Sequence, residues 1–263
     1  DGHSQGLVDG HYVRTLRVGE VTGWLAARPV ADNVLQVQLA PSLRQCLPAL
    51  QQPLRRLFDL DVDPVAIATC LESDGQLAPL SQQTPGLRLP GTLDGFELAM
   101  RAVLGQQISV KAATTLFRRM VERFGKPVET PFEGLDRLPP PAERIASLER
   151  EDLLPCGLTR RRADTLLALA REVRDHSLRL DTSADPQATR QQLLALPGIG
   201  PWTTEYIAMR ALGAPDAFPH SDLGLLKGAG VTKPAELEAR SQHWRPWRAY
   251  AAFHLWHSLG QGG

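Results

Sequence analysis

The chain has 263 residues, 43% hydrophobic and 22% charged, and its 29 basic and 29 acidic side chains balance to a formal net charge of zero. That is enough chain for one large domain or two ordinary ones of ordinary globular composition, and it counts against a protein that grips nucleic acid by bulk positive charge. No apolar run approaches the roughly 18 residues of a membrane span, and DGHSQGLVDG lacks the basic start and apolar stretch of a signal peptide. Cys46, Cys70 and Cys156 are scattered and too few for a four-cysteine metal site, which points to a reducing compartment rather than a disulfide framework.

The first third mixes strand and helix signals. Residues 12–18, 21–27 and 34–39 read as strands, the last (VLQVQL) with strict alternation. Helices are expected at 43–57 and at 64–71, where Asp63 serves as N-cap and Pro64 as the first helical residue. The stretch LAPLSQQTPGLRLPGT (77–92) reads as a boundary or linker. Beyond it only helices and loops are expected, so the chain divides into a mixed α/β segment, 1–80, and a helical segment, 81–263. Asp94 and Glu97 form a capping box ahead of a helix at 96–104, which makes Glu97 a cap rather than an acid. Ser109 caps a helix that runs to Phe124 before Gly125, and a proline-rich loop covers 126–141. Further helices are expected near 142–150, 159–176, 186–195, 201–212, 234–243 and 246–258.

LPGIGPWT (196–203) joins two of these helices by a tight glycine turn. Glycine suits positive φ and close approach, Pro201 suits a first helical turn, and the helix start offers unpaired N–H groups to an anion such as phosphate. Trp202, Tyr206 and Met209 share one face of the second helix, a pattern usual for core packing. Asp222, in AFPHSDLGLLKG, reads either as the N-cap of a short helix or as a carboxylate facing a developing cation, and the two roles are compatible. His254 and His257 lie three apart without further ligands at metal spacing, which favours a structural role. Arg160, Arg161 and Arg162 fit a solvated helix start at least as well as a phosphate contact.

LPGIGPWTTEY with the Asp222 segment resembles the helix–hairpin–helix DNA glycosylases, and more narrowly their 3-methyladenine DNA glycosylase II group. RLFDLDVDP (56–64), PGLRLPGTLDGFELAMRAVLGQQISV (85–110), GLTRRRADTL (157–166) and WRPWRAYAAFHLWH (244–257) are similar to that group as well. The resemblance spans residues 8–258 and implies an α+β fold: a small N-terminal antiparallel sheet with helices, then a helical core of two subdomains with the DNA and base cleft between them. It makes Asp222 the catalytic carboxylate and Trp202, Tyr206 and Trp256 the lining of a pocket for an extruded base. Gly198, Gly200 and Thr203 fall on the phosphate-contacting hairpin positions, and the carbonyls of Leu194, Leu196 and Ile199 on those that hold a monovalent cation, Na+ or K+. Gln107 stands where a relative carries a leucine wedge that enters the DNA stack. The family's segment ahead of the first strand has no counterpart, so the N-terminus is expected to be shortened or divergent.

The activity implied is that of a cytoplasmic, monomeric and monofunctional glycosylase of base excision repair, acting on double-stranded DNA that contains alkylated purines, without a cofactor in the chemistry. Trp202 takes the position where bifunctional relatives carry a nucleophilic lysine, and an indole cannot form a Schiff base. A glycosylase for oxidised or deaminated bases and a non-catalytic DNA-binding module are the alternatives. Asp222 disfavours the second of these, because a carboxylate near the DNA backbone repels phosphate.

Overall fold

Alternation and two-residue turns build the N-terminal sheet in the computed structural model, which describes residues 3–260; residues 1–2 and 261–263 of the expected segments lie outside it. Strands β1 (Gln5–Val8), β2 (His11–Val18), β3 (Val21–Ala31) and β4 (Val34–Leu39) form an antiparallel meander in chain order. The β1–β2 turn is Asp9-Gly10, both at positive φ (48° and 75°), the geometry a two-residue hairpin turn requires. Strand β1 lay outside the expected strands because four residues containing a glycine carry no usable period. The reading of 34–39 as alternating is matched by a side-by-side exposure pattern in β4.

The helices follow as α1 (Leu47–Leu57), α2 (Pro64–Leu71), α3 (Leu77–Gln83), α4 (Gly95–Gly105), α5 (Val110–Phe124), α6 (Ala142–Ala146) and α7 (Arg150–Leu153). After them come α8 (Arg160–Arg174), α9 (Pro186–Ala195), α10 (Pro201–Arg210), α11 (Leu223–Gly228), α12 (Pro234–Ser241) and α13 (Arg248–Gly260). Three local expectations need correction. The stretch 77–92 is not all linker, since α3 occupies its start: Asp74 accepts the N–H groups of Gln76 and Leu77 (2.9 and 3.2 Å), and Pro79 sits in the first turn where no N–H is needed. The helix at 142–150 is two short helices, because Glu149 and Asp152 form a capping box that starts a new one. The loop 126–141 contains a two-stranded pairing, β5 (Lys126–Pro127) with β6 (Arg137–Leu138).

The chain folds as two compact units, each made of two separate stretches. One runs through Gln52 and includes Ala99–Leu178; the other joins Pro53–Leu98 to the chain from Arg179 onward. In the first, Val13 and Ala26 of the sheet bury Leu135, Trp24 meets Phe132 edge-on at 5.2 Å, and Thr15 Oγ1 donates to the Arg137 carbonyl at 2.8 Å. In the second, Ile67, Leu71 and Leu77 pack with Met209, Phe218, Leu225, Leu237, Trp244 and Leu255 in one core. Two polar nodes brace that unit. Asp59 accepts the Leu89 N–H (3.0 Å) and the Tyr250 hydroxyl (2.9 Å), which ties RLFDLDVDP to PGLRLPG and to α13. Asp74 accepts from Arg240 Nη2 (2.6 Å) and Trp244 Nε1 (2.9 Å).

Candidate active site

The glycine turn forms because its residues release the chain from one helix and admit it to the next. Leu196 leaves α9 with extended angles, and Gly198 takes φ +82°, a conformation glycine reaches without steric cost. Gly200 then caps α10 and Pro201 opens it, with a proline ring where no N–H bond is lost. The first backbone bond of α10 runs from the Thr204 N–H to the Gly200 carbonyl at 3.0 Å.

The face that carries Trp202, Tyr206 and Met209 runs from core to surface. Met209 is 1% exposed, whereas Trp202 and Tyr206 are half-buried. The Trp202 and Tyr206 rings stack with centroids 5.4 Å apart and planes 5° apart, as residues one helical turn apart can. Trp256, from α13, meets Tyr206 at 6.4 Å and is backed by Phe253 at 5.5 Å, both edge-on. Arg210, which sequence reasoning passed over, donates to the Tyr206 hydroxyl at 3.2 Å. The carbonyl of Pro90 accepts from the same guanidinium, which links PGLRLPG to Tyr206 through Arg210.

Asp222 completes this cluster. It is the N-cap of α11, and its Oδ1 accepts the Leu225 N–H at 2.8 Å, as an N-cap does. Oδ1 also accepts the Trp256 indole N–H at 2.8 Å, and Oδ2 accepts the Trp202 indole N–H at 2.7 Å. The capping alternative thus holds, and the same carboxylate is also held by two indoles. Three donors occupy a group with about four lone-pair positions, and the remaining one lies on Oδ2. Gly224 makes the arrangement possible. A Cβ there would lie 3.0 Å from Asp222 Oδ1 and 3.2 Å from Trp256 Cδ1. The sequence signal for Gly224 was faint, since a glycine in the first turn of a helix has no single meaning.

Four sequence-predicted residues, Asp222, Trp202, Tyr206 and Trp256, are therefore in direct contact as one group. Gly198 and Gly200 lie in the turn that leads to them, with Ile199 buried between the two. Thr203 is 2% exposed. Leu194 and Leu196 belong to the last turn of α9 and its C-cap. Gln107 belongs to the other unit, exposed at φ +56° in the turn between α4 and α5, where Arg162 donates to the Gln106 carbonyl. His254 is 4% exposed, and burial followed by the neighbouring His257 pushes its imidazole below the ordinary histidine range. No group of three or more His, Cys, Asp or Glu side chains fit to hold a metal occurs among the described residues. Glu97 is buried, and its N–H is accepted by Asp94 Oδ1 at 3.0 Å, which makes Asp94 a cap of α4.

Two family models match the chain. The AlkA N-terminal domain covers residues 5–94, and the HhH-GPD superfamily base excision DNA repair protein model covers 100–243. The chain belongs to the HhH-GPD superfamily. It is 33% identical over 260 residues to the DNA-3-methyladenine glycosylase 2 of Escherichia coli, covering 97% of this chain and 88% of that one. It is 44% identical over 255 residues to the probable bifunctional transcriptional activator/DNA repair enzyme AlkA of Mycobacterium tuberculosis, covering 95% of this chain and 51% of that one. The chain thus spans about half the length of that relative. The 3-methyladenine DNA glycosylase of Archaeoglobus fulgidus shares the fold, with a TM-score of 0.86 at 23% identity over 98% of this chain and 90% of the other. As expected of an HhH-GPD member of this group, a small antiparallel sheet precedes a mainly helical remainder. No described helix is long and apolar enough to cross a membrane.

Proposed function

We propose that the chain is a monofunctional DNA glycosylase of base excision repair that hydrolyses the N-glycosidic bond of alkylated purines in double-stranded DNA. The observation that carries this reading is the Asp222 carboxylate, fixed by the N–H groups of Trp202, Trp256 and Leu225 at 2.7, 2.8 and 2.8 Å among partly exposed aromatic rings. The name of the Escherichia coli relative supports the substrate class.

The chemistry follows from these groups. A base must leave the stack before its glycosidic bond can be reached. An N-alkylated purine such as 3-methyladenine or 7-methylguanine carries positive charge, so it departs with little acid assistance. Tyr206 covers one face of the Trp202 indole and leaves the rest of that half-exposed ring for the cationic base, a contact worth about 1–2 kcal/mol when desolvated. Positive charge then gathers on the sugar, and the prefixed carboxylate opposes it without reorganising. The free lone pair on Asp222 Oδ2 is the acceptor for the attacking water. Indole at position 202 offers no nucleophilic amine, so water takes the sugar carbon and no Schiff base forms.

The hairpin supplies the DNA grip in this reading, through the backbone at Gly198, Gly200 and Thr203, with Gln107 filling the gap left by the extruded base. Carbonyls at Leu194, Leu196 and Ile199 suit a monovalent cation in chemistry: they are uncharged oxygens, the first two at the C-terminus of α9, where intrahelical partners run out, and the third in the turn that follows. The Leu196 carbonyl already accepts the Ile199 N–H at 3.2 Å and would share its second lone pair. Such an ion would supply charge for phosphate binding only.

The test is release of free bases from methylated duplex DNA, separated by chromatography. Wild type is expected to release 3-methyladenine and 7-methylguanine, and Asp222→Asn to release neither while binding DNA as well or better. Retained release by Asp222→Asn would refute the assignment.

A further inference from the structure

Glu205 lies on α10, three residues beyond Trp202, and takes no part in the chemistry above. Its side chain is 25% exposed and both of its oxygens accept hydrogen bonds. Oε1 accepts Arg190 Nε at 2.8 Å, while Oε2 accepts Arg190 Nη2 at 3.4 Å and the backbone N–H of Phe218 at 3.0 Å. Arg190 comes from α9, the first helix of the hairpin, and meets the carboxylate with its planar fork, which fixes the orientation of both.

The Phe218 bond gives Glu205 its reach. Phe218 is 3% exposed, packed edge-on against Trp244 at 5.7 Å, and stands four residues before Asp222. Between them the chain is closed by two short backbone bonds, His220 N–H to the Phe218 carbonyl at 2.9 Å and Asp222 N–H to the Pro219 carbonyl at 2.8 Å. Pro219 fixes a further torsion in the same stretch. Few free rotations therefore separate the Glu205 anchor from the Asp222 carboxylate. Helix α10 grips this loop at both ends, with Glu205 on Phe218 and Trp202 on Asp222.

We propose that Glu205, oriented by Arg190, is a positioning residue that sets the place of the Asp222 carboxylate relative to the glycine hairpin. One helix then begins where the glycine turn ends and carries the stacking indole and both anchors of the Asp222 loop. The proposal rests on reading Asp222 as the catalytic carboxylate. Glu205 touches neither base nor sugar, and its effect passes through the Phe218–Asp222 segment. Loss of the anchor lets that segment shift by fractions of an ångström, which lengthens the indole bonds to Asp222.

The experiment compares the full chain with Glu205→Ala and Glu205→Gln. Turnover on methylated duplex is measured per folded molecule, and the indole N–H resonances of the five tryptophans are followed by NMR. Glu205→Ala is expected to lower kcat by about tenfold to a hundredfold with KM nearly unchanged, the pattern of a misplaced group rather than a lost binding contact. The Trp202 and Trp256 indole resonances should move, while that of Trp24, in the other unit, stays in place. Glu205→Gln keeps an acceptor for the Phe218 N–H and is expected to restore both readouts toward wild type. Wild-type turnover and unmoved indole resonances in Glu205→Ala would overturn the proposal, as would a Gln variant as impaired as the Ala variant. If the wild-type chain releases no alkylated base, the reading of Asp222 as catalytic fails, and the indole resonances alone then decide whether Glu205 positions it.

Discussion

Replacing Gly224 by alanine separates stability from activity at the site. Gly224 lies in the first turn of α11 with φ outside the left-handed region, so its backbone accepts any L residue. On backbone grounds alone, Gly→Ala in a helix stabilises by about 0.5–1 kcal/mol. The new methyl group, however, meets Asp222 Oδ1 at 3.0 Å and the Trp256 ring at 3.2 and 3.3 Å. Something must move by a few tenths of an ångström. Asp222 Oδ1 is tied to the Leu225 N–H at 2.8 Å within the same helix start, so the carboxylate resists. Trp256 is wedged by Phe253 and Tyr206 but belongs to another helix, so the indole yields and its 2.8 Å bond to Oδ1 lengthens.

A hydrogen bond to a charged group contributes about 1.5–3 kcal/mol. Losing much of that in the transition state slows base release by about tenfold to a hundredfold. The crowding and the helical preference of alanine nearly offset each other in stability. The expected outcome is thus an unfolding temperature within a few degrees of wild type, measured by calorimetry, together with a large fall in single-turnover release of 3-methyladenine. An alanine variant with wild-type turnover would show that the Trp256–Asp222 contact does not matter for catalysis. A variant that unfolds far below wild type would show that the space around Gly224 cannot adjust at all.

Two further outcomes follow from the polar contacts. Trp202→Phe keeps an aromatic ring on Tyr206 but removes the N–H that reaches Asp222 Oδ2 at 2.7 Å, so kcat should fall while KM for methylated DNA stays close to wild type; a rise in KM alone would assign Trp202 to base binding only. Burial alone would push the Asp74 carboxyl up, but hydrogen bonds from Arg240, Trp244 and the Gln76 and Leu77 amides outweigh it and hold it well below the usual carboxylate range. Its contribution to stability is therefore complete above the ordinary carboxylate value of about 4 and is lost as pH falls below it, so Asp74→Asn should flatten the acid limb of stability against pH, read by denaturant titration. An unchanged limb would mean that other carboxylates govern acid unfolding.

Much of the fold was legible where one residue fixes one boundary. Asp63 with Pro64, Ser109 before α5 and Gly200 with Pro201 all mark observed helix starts, because capping is a local matter of side chain and orphan N–H. Reading failed where the signal was weak or ambiguous. The Asp9-Gly10 turn is a strong hairpin signal, yet β1 beside it is too short to show alternation. Pro79 argued against a helix at 77–92, although a proline in the first turn removes nothing that the helix uses. Within the site, the aromatic stripe and Asp222 could be named from spacing and resemblance, but not the two indole bonds that join them. Those bonds connect residues 20 and 34 positions apart, and no local pattern encodes them. Glu205 and Arg210 were passed over for the same reason, since their partners lie on loops distant in sequence.

The indole bonds also change what the tryptophan in LPGIGPWT means. From the sequence, Trp202 stands chiefly for the absence of an amine, and so for hydrolysis by water. In the structure its ring edge holds the carboxylate while its face lies on Tyr206. An amine at the same place would sit beside Asp222 as well, but with a lone pair to offer the sugar, whereas the indole nitrogen has only a hydrogen to donate. Under the proposed function the position is one from which a side chain reaches the reacting centre, and the residue type there decides between a nucleophile and a prop. In the proposed reaction, with indole as the prop, Asp222 carries the charge of the transition state alone, and its placement becomes the variable on which the rate depends. That is why three residues that touch no substrate atom in this reading, Gly224 through space, Arg210 through Tyr206 and Glu205 through Phe218, are all spent on holding the same small cluster still.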